Sequence, residues 1–383
     1  MVADVPLGAF LSGGLDSSAV VAFAKEQNPD IHCFTIDSVD GRDEGDTEDL
    51  PYARRVAKHL NVHLEVVQVH ADHMAADLER MVIQLDEPVA DPAALNVLYI
   101  SQLARRHGMK VLLSGAGGDD LFTGYRRHRA QQIDPYFSRL PSALRHGLDS
   151  LASALDQRRA WKRRLAKAFN GAGLNGDARI ANYFVWSRRS DLFALYTPEF
   201  KRQLGAASAE APILDFLSTL PEATKALDKM LSLELRFFLA DHNLMYTDKM
   251  SMAAGVEVRV PFLDMELVEF AQRIPLAYKQ RGAVGKWVLK KAMEPYLPHD
   301  VIYRPKTGFG APLRRWLGGA LKPLADDVLS ATSLQERGLF DAGAVRSLRD
   351  ADTAGRVDAS YTILSLMCIE IWCRHYIDSA PAA

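Results

Sequence analysis

Two glycine-rich segments carry the residues best suited to chemistry. The first, Ser12-Gly13-Gly14-Leu15-Asp16-Ser17-Ser18, follows an apolar run and opens a helical pattern. A helix N-terminus offers N–H groups without intrahelical partners and the positive end of the helix dipole, so a loop there suits phosphate. Gly13 and Gly14 let the backbone approach a ligand closely, and Ser12, Ser17 and Ser18 add hydroxyl donors. Asp16 repels phosphate unless a cation stands between them, which makes it a candidate magnesium ligand. The second segment, Ser114-Gly115-Ala116-Gly117-Gly118-Asp119-Asp120, also follows an apolar run and ends in two carboxylates. In an open parallel sheet the loops at the carboxyl ends of the strands share one crevice. Asp16 and Asp119 are therefore expected to meet there and hold Mg²⁺ on phosphates. No G-x-x-x-x-G-K-[ST] string occurs, so neither loop is a Walker A loop.

These loops need a frame, and residues 5–69 supply one. Positions 5–11 read as a strand and 17–27 as a helix packed on a sheet, with Ala19, Val20, Ala22, Phe23 and Ala24. Asn28-Pro29-Asp30 ends it. A strand over 31–36, a polar acidic loop over 37–49, a helix over 50–60 and a strand over 62–69 follow. Two helices fill 72–107, interrupted at Glu87-Pro88 and Asp91-Pro92, and 110–113 reads as a fourth strand. This order predicts an α/β fold: a parallel sheet with helices on both faces. Beyond about 130 the pattern predicts helices and no strand. The expected division is an α/β core over 1–130 and a largely helical extension over 131–383.

Composition narrows the function classes. The chain has 383 residues, 48% hydrophobic and 25% charged, as in ordinary globular proteins. No apolar run approaches the roughly 18 residues that span a bilayer, so no membrane partner is expected. A net charge of −2 argues against nucleic acid as an obligate partner. Cys33, Cys368 and Cys373 form no C-x-x-C pair and no even disulfide framework, which fits a reducing cytoplasm and no zinc site. The N-terminus lacks a signal-peptide pattern, and it runs so directly into the first motif that something upstream is expected to be missing.

The S-G-G-x-D-S string at Ser12–Ser17 resembles the pyrophosphate loop of the N-type ATP pyrophosphatases, whose sheet is of the adenine nucleotide alpha hydrolase-like kind. The second loop, continuing through Leu121-Phe122-Thr123-Gly124-Tyr125, resembles the synthetase domain of glutamine-hydrolysing asparagine synthases. Two later blocks are similar to signatures of that family. One runs through Asp248-Lys249-Met250-Ser251-Met252-Ala253 to Gly255-Val256-Glu257-Val258-Arg259-Val260-Pro261-Phe262-Leu263-Asp264. The other runs through Lys286-Trp287-Val288-Leu289-Lys290-Lys291-Ala292 to Arg304-Pro305-Lys306-Thr307-Gly308-Phe309. The likeness extends from about residue 4 to about residue 317.

The resemblance implies an amide ligase that uses ATP and Mg²⁺. L-aspartate would be activated as β-aspartyl-AMP and then aminated by ammonia, releasing AMP and pyrophosphate. It implies that Ser12, Gly13, Gly14, Asp16, Ser17 and Ser18 cradle the β and γ phosphates. Leu11 and Ile36 would contact the adenine and ribose region, and Ser114 and Gly115 would also touch the nucleotide. Asp16 and Asp119 would hold the metal, and Lys306 would stabilise charge on the departing pyrophosphate. The chain departs from the family at Ala116, where many members carry a carboxylate that can assist proton transfer from ammonia. Asp120 and Glu257 are the candidate substitutes; the alternatives are that ammonia attack needs no such base here, or that the carboxylate acceptor is not aspartate. A related ligase with such an acceptor and a non-catalytic nucleotide-binding module are the competing functions.

Full-length members begin with a glutaminase domain whose catalytic cysteine follows the initiator Met. Here position 2 is Val, so ammonia would come from solution or from a separate glutaminase domain or subunit. A second copy of the chain, in a homodimer, is a further candidate partner. Weaker signals have plainer readings. The basic run Arg158-Arg159-Ala160-Trp161-Lys162-Arg163-Arg164 reads as a solvated helix face, and Cys368 and Cys373 read as core residues of an apolar helix. Glu257 and Arg259 can pair with each other, and His242 and Asn243 are candidates for lining the substrate pocket.

Overall fold

The computed structural model describes residues 1–39, 48–137, 139–154, 166, 169–185, 187–305 and 312–379. The chain forms two compact units. One comprises Met1–Leu85, Asp91–Arg129 and Leu231–Ala311, and the other Asp86–Ala90, Ala130–Met230 and Pro312–Ala383. The division therefore does not follow one boundary near 130, because the chain returns to the first unit at Leu231.

The first unit is built on a five-stranded parallel sheet. Its elements begin β1 (Leu7–Phe10), α1 (Leu15–Gln27), β2 (His32–Ser38), α2 (Leu50–Leu60) and β3 (His63–Val69). They continue with α3 (Ala71–Leu85), α4 (Ala93–Arg106), β4 (Val111–Leu113), a short α5 (Gly118–Phe122) and β5 (Glu257–Arg259). The strand order is β3-β2-β1-β4-β5. Because successive side chains of a strand point to opposite faces, the strands serve two cores. Leu7, Ala9, Leu11, Ile31, Cys33, Val111 and Leu113 pack with α1 and α2 residues such as Val20, Val21, Ala53 and Val56. Phe34 and Leu112 pack on the other side with Ile100, Leu103 and Ala104 of α4. Helices on both faces make this the expected α/β architecture.

The fifth strand is a correction to the sequence reading. Glu257 pairs with Val111, and Arg259 with Leu113, so a three-residue strand closes the edge of the sheet. Its charged residues alternate with valines in so short a run that periodicity alone could not mark it as a strand. The order also puts a switch point at the sheet's centre. From β1 the chain moves outward to β2 and β3 on one side, and later to β4 and β5 on the other. The loops leaving β1 and β4 therefore open side by side at the carboxyl edge, where ligands bind in such sheets.

The second unit is helical. Its helix Ser360–Tyr376 buries Ile363, Leu364, Met367, Cys368 and Ile371. Arg337 pairs with Glu370 at 2.9 Å and with Asp378 at 2.6 Å, tying this helix to Ala331–Arg337. All three cysteines are buried free thiols, and burial pushes Cys33 and Cys368 up to about 12. Among the described residues, no helix is long and apolar enough to cross a membrane.

Candidate functional site

The first loop is shaped by its own hydroxyls. Ser12 Oγ lies 3.0 Å from Ser17 Oγ and accepts from Gly14 N at 3.3 Å, while Ser17 Oγ donates to Gly14 O at 3.3 Å. These bonds fold the loop over the start of α1. No side chain caps that helix at Gly14, and Ser18 N, bonded to Gly14 O at 3.1 Å, closes its first turn. The first-turn N–H groups are thus presented at the dipole's positive end. The hydroxyl of Ser18 is fully buried and finds no hydrogen-bond partner among the described residues. Leu11, also fully buried, donates its N–H to Phe34 O at 2.9 Å. Ile36 is half-buried on the α4 face and is not the last residue of β2, which runs on to Ser38.

The second loop approaches the first as closely as its glycines allow. A Cβ on Gly118 would stand 2.6 Å from Asp16 Cγ, and one on Gly115 would stand 2.5 Å from Ser17 N. Ser114 N donates to Arg259 O at 2.8 Å, and Ser114 Oγ accepts from Ala116 N at 3.2 Å. Beyond the loop, Gly124 leaves room for the Asp119 carboxylate and the Lys286 side chain, which a Cβ there would overlap.

Lys286 is the residue that sequence reasoning missed. Its ammonium, nearly buried, pairs with Asp16 Oδ2 and lies 2.6 Å from Asp119 Oδ1. Burial pulls the Lys286 pKa down, but the two carboxylates more than offset this and hold it above the usual lysine value. The backbone delivers the side chain: Lys286 N donates to Phe122 O at 2.8 Å, and Lys286 takes a left-handed φ of 54° just before the helix Trp287–Met293. Such a conformation in a lysine is uncommon and marks a position held by its surroundings. The sequence block Lys286–Ala292 was visible, but nothing in its spacing says that Lys286 reaches two loops far upstream.

Asp16 and Asp119 do meet. Two hard-oxygen donors converging on one cationic point suit a magnesium ion, which typically takes one or two carboxylates together with substrate phosphates. Among the described residues there is no group of three or more His, Cys, Asp or Glu that could hold a metal.

Asp120 and Glu257 do not join them. On a helical turn adjacent residues point about 100° apart, and Asp120 turns inward. It is 1% exposed, and Tyr125 donates its hydroxyl to both Asp120 oxygens at 3.3 and 3.4 Å. Asn243 donates to the Tyr125 hydroxyl at 3.3 Å. Burial, then the neighbouring charges of Glu234 and Asp119, push Asp120 up to about 7. Behind it lies a buried ionic knot. Arg127 forms two hydrogen bonds to Glu234, and His128 Nε2 lies 2.8 Å from the same carboxylate. The guanidinium of Arg127 is 4.4 Å from the ring centres of both Tyr125 and Phe238. Glu234 and Phe238 belong to a π-helical stretch, Glu234–Leu244, a geometry that is rare and frequently marks functional sites. His242, on the same stretch, has Nε2 3.3 Å from Asp91 Oδ2 and Nδ1 3.2 Å from Asn243 Oδ1.

Glu257 opens β5 in register with Val111 and Leu7, at the amino edge of the sheet. Each strand residue advances about 3.3 Å, so the loops at the opposite edge are out of its reach. Its carboxylate pairs instead with Arg259 Nε at 2.6 Å, an exposed pair that holds Glu257 below the usual range. Lys306 and the basic run 158–164 lie outside the described residues.

A parallel sheet whose two switch-point loops meet over paired carboxylates and an uncapped helix N-terminus defines the class: an α/β protein with a crevice of the kind that takes phosphorylated ligands. Within that class the chain belongs to the asparagine synthase family, whose sequence profile matches residues 1–374. A putative glutamine-hydrolysing asparagine synthetase of Mycobacterium tuberculosis is 32% identical over 377 residues, covering 97% of this chain and 55% of that protein. Glutamine-hydrolysing asparagine synthetase 1 of Bacillus subtilis is 29% identical, covering 97% of this chain and 56% of its own length. Amidase chyE of Penicillium rubens is 25% identical over 378 residues, covering 90% and 55% respectively. The chain thus spans about half the length of the curated relatives it matches.

Proposed function

We propose that this chain is an ATP-dependent, AMP-forming amide ligase that converts L-aspartate to L-asparagine with ammonia as the nitrogen donor. The observation that carries the proposal is the convergence of Asp16 and Asp119 on one buried cation, beside the uncapped start of α1. The Ser12, Ser17 and Ser18 hydroxyls and the first-turn N–H groups bind the β and γ phosphates. The uncapped first turn of α1 suits such a ligand, and Ser18, fully buried, is included by family resemblance. Asp16 and Asp119 would hold Mg²⁺, which when bound offsets the negative charge of the phosphates.

An oxygen of the β-carboxylate forms a bond to the α phosphorus as the bond to the bridging α–β oxygen breaks, and pyrophosphate leaves with that electron pair. Lys306, by family resemblance, is a cation suited to the charge that gathers there, whereas Lys286 is already engaged by Asp16 and Asp119. Ammonia then bonds to the acyl carbon, gives up a proton, and AMP departs. A carboxylate is a poor acylating agent by itself, so adenylation supplies the leaving group, and the protein's part is positioning and charge stabilisation. Ala116 offers no carboxylate for the amination proton. Asp120 is turned inward, so that proton passes to water, to phosphate or to a second ammonia. Ammonia would come from solution or from a glutaminase domain or subunit, and the setting proposed is cytoplasmic.

A related ligase with another carboxylate acceptor is the second reading, favoured by Ala116 and by the likeness to fungal amidases. Mass-spectrometric product analysis separates the two. Purified chain with Mg·ATP, aspartate and ammonium chloride is expected to yield asparagine, AMP and pyrophosphate in equal amounts. Turnover of ATP to AMP that depends on a different carboxylic acid would favour the second reading. No AMP with any acceptor would overturn both.

A further inference from the structure

The geometry points to Arg304 as the positioning residue for the phosphate loop, acting through Asp49 and Tyr52. This deepens the proposed function and rests on reading Ser12–Ser18 as the loop that binds phosphate.

Gly13 lies against Tyr52 and Ala53 of α2. This glycine has a φ of 69°, and a Cβ on it would stand 2.6 Å from the Tyr52 carbonyl carbon. The first loop is thus seated directly on the opening turn of α2, and its position follows wherever that turn is held. Asp49 is the N-cap of α2, a place where aspartate ordinarily accepts hydrogen bonds from its own helix. Here it makes no such cap. Its carboxylate instead meets Arg304 Nη2 at 2.6 Å, and the pair is largely buried, with side chains 15% and 8% exposed. The same guanidinium lies 4.5 Å from the centre of the Tyr52 ring. One arginine therefore grips both ends of the turn that seats Gly13.

The contact is the last rung of a ladder. The chain over 296–304 runs antiparallel along α2. His59 Nε2 lies 3.1 Å from Tyr296 O, Arg55 pairs with Asp300, and Asp49 pairs with Arg304. The Arg55–Asp300 rung is solvent-exposed, with side chains 58% and 47% accessible, and pairs of that kind contribute little. Only the rung next to the loop is withdrawn from water and stacked on an aromatic ring. A planar guanidinium can pair and stack at once, which a lysine cannot reproduce.

The test is direct binding of ATP and of inorganic pyrophosphate, each with Mg²⁺, to the purified chain by calorimetry, beside steady-state kinetics. In Arg304→Ala and Asp49→Asn, ATP affinity is expected to fall tenfold or more with the KM for aspartate little changed. The double variant is expected to be no worse than the worse single one, because both substitutions release the same turn. Arg304→Lys should recover only part of the affinity, and Arg55→Ala should bind as the parent does. If Arg304→Ala fails to fold, Arg304→Lys and the Arg304→Asp, Asp49→Arg exchange carry the test, the exchange restoring part of the binding. Parent-like ATP affinity in Arg304→Ala, or additive losses in the double variant, would overturn the positioning role alone. Failure of the parent chain to bind either ligand would overturn both this role and the phosphate-loop reading.

Discussion

The Lys286 ammonium stands 2.6 Å from the Asp119 carboxylate while also pairing with Asp16, so one cation joins the loops that leave β1 and β4. Two carboxylates brought to one ammonium would repel each other without it, and Lys286 offsets that repulsion. Lys286→Met, which keeps most of the side chain without its charge, should therefore cost about 3 kcal/mol of stability, as expected for a buried pair that loses one partner. Millimolar Mg²⁺ should restore more of the melting temperature in the variant than it adds to the parent. Thermal unfolding with and without Mg²⁺ checks this, and equal Mg²⁺ responses would remove Asp16 and Asp119 as the metal's ligands.

Gly118 sets how closely the loops can meet. Alanine there would place a Cβ 2.6 Å from Asp16 Cγ, far inside contact distance. Gly118→Ala is expected to fold, to push Asp16 aside, and to lower kcat/KM for ATP by a hundredfold or more. Circular dichroism together with AMP-formation kinetics would decide it, and a folded variant within threefold of the parent would contradict the geometry.

The buried Asp120 makes a pH prediction. Burial raises its pKa to about 7, against about 4 for an aspartate in the unfolded chain. The native state therefore holds its proton more tightly than the unfolded state does. The stability this group contributes is fully present below pH 4 and is lost as the pH rises through 7. Asp120→Asn keeps an oxygen to accept from Tyr125 and cannot ionise. Urea unfolding between pH 5 and 8 should show a shallower decline in the variant than in the parent, and parallel declines would refute it.

Glu257 offers the converse case. It sits at the amino edge of the sheet in an exposed pair with Arg259. Glu257→Gln should leave ammonia-dependent amide formation within about twofold of the parent and stability within about 0.5 kcal/mol. A loss of tenfold or more in kcat would return Glu257 to the reacting groups.

The sequence by itself determined a good deal of this. Strand-to-helix alternation over the first 113 residues, and the glycine-serine loops at the ends of two strands, were enough for the parallel sheet, its covered faces and a loop leading into the start of α1. These are local features: period, turn residues and helix starts are written in neighbouring positions. That Asp16 and Asp119 approach one point was legible as well, because parallel topology leaves few places for the two loops to go.

What only the tertiary structure decided depends on contacts between distant segments. Asp119 and Asp120 are adjacent and chemically alike, yet one faces Lys286 and the other faces Tyr125, and only the orientation of a five-residue helix separates them. Glu257 belongs to a later family-like block, and a short parallel edge strand places it at the amino edge of the sheet in register with Val111. The reach of Lys286 into the loops, and the grip of Arg304 on the turn beneath Gly13, have no sequence periodicity at all. Each is a long side chain delivered by a backbone position that packing fixes, and packing is a property of the whole fold rather than of any window of residues.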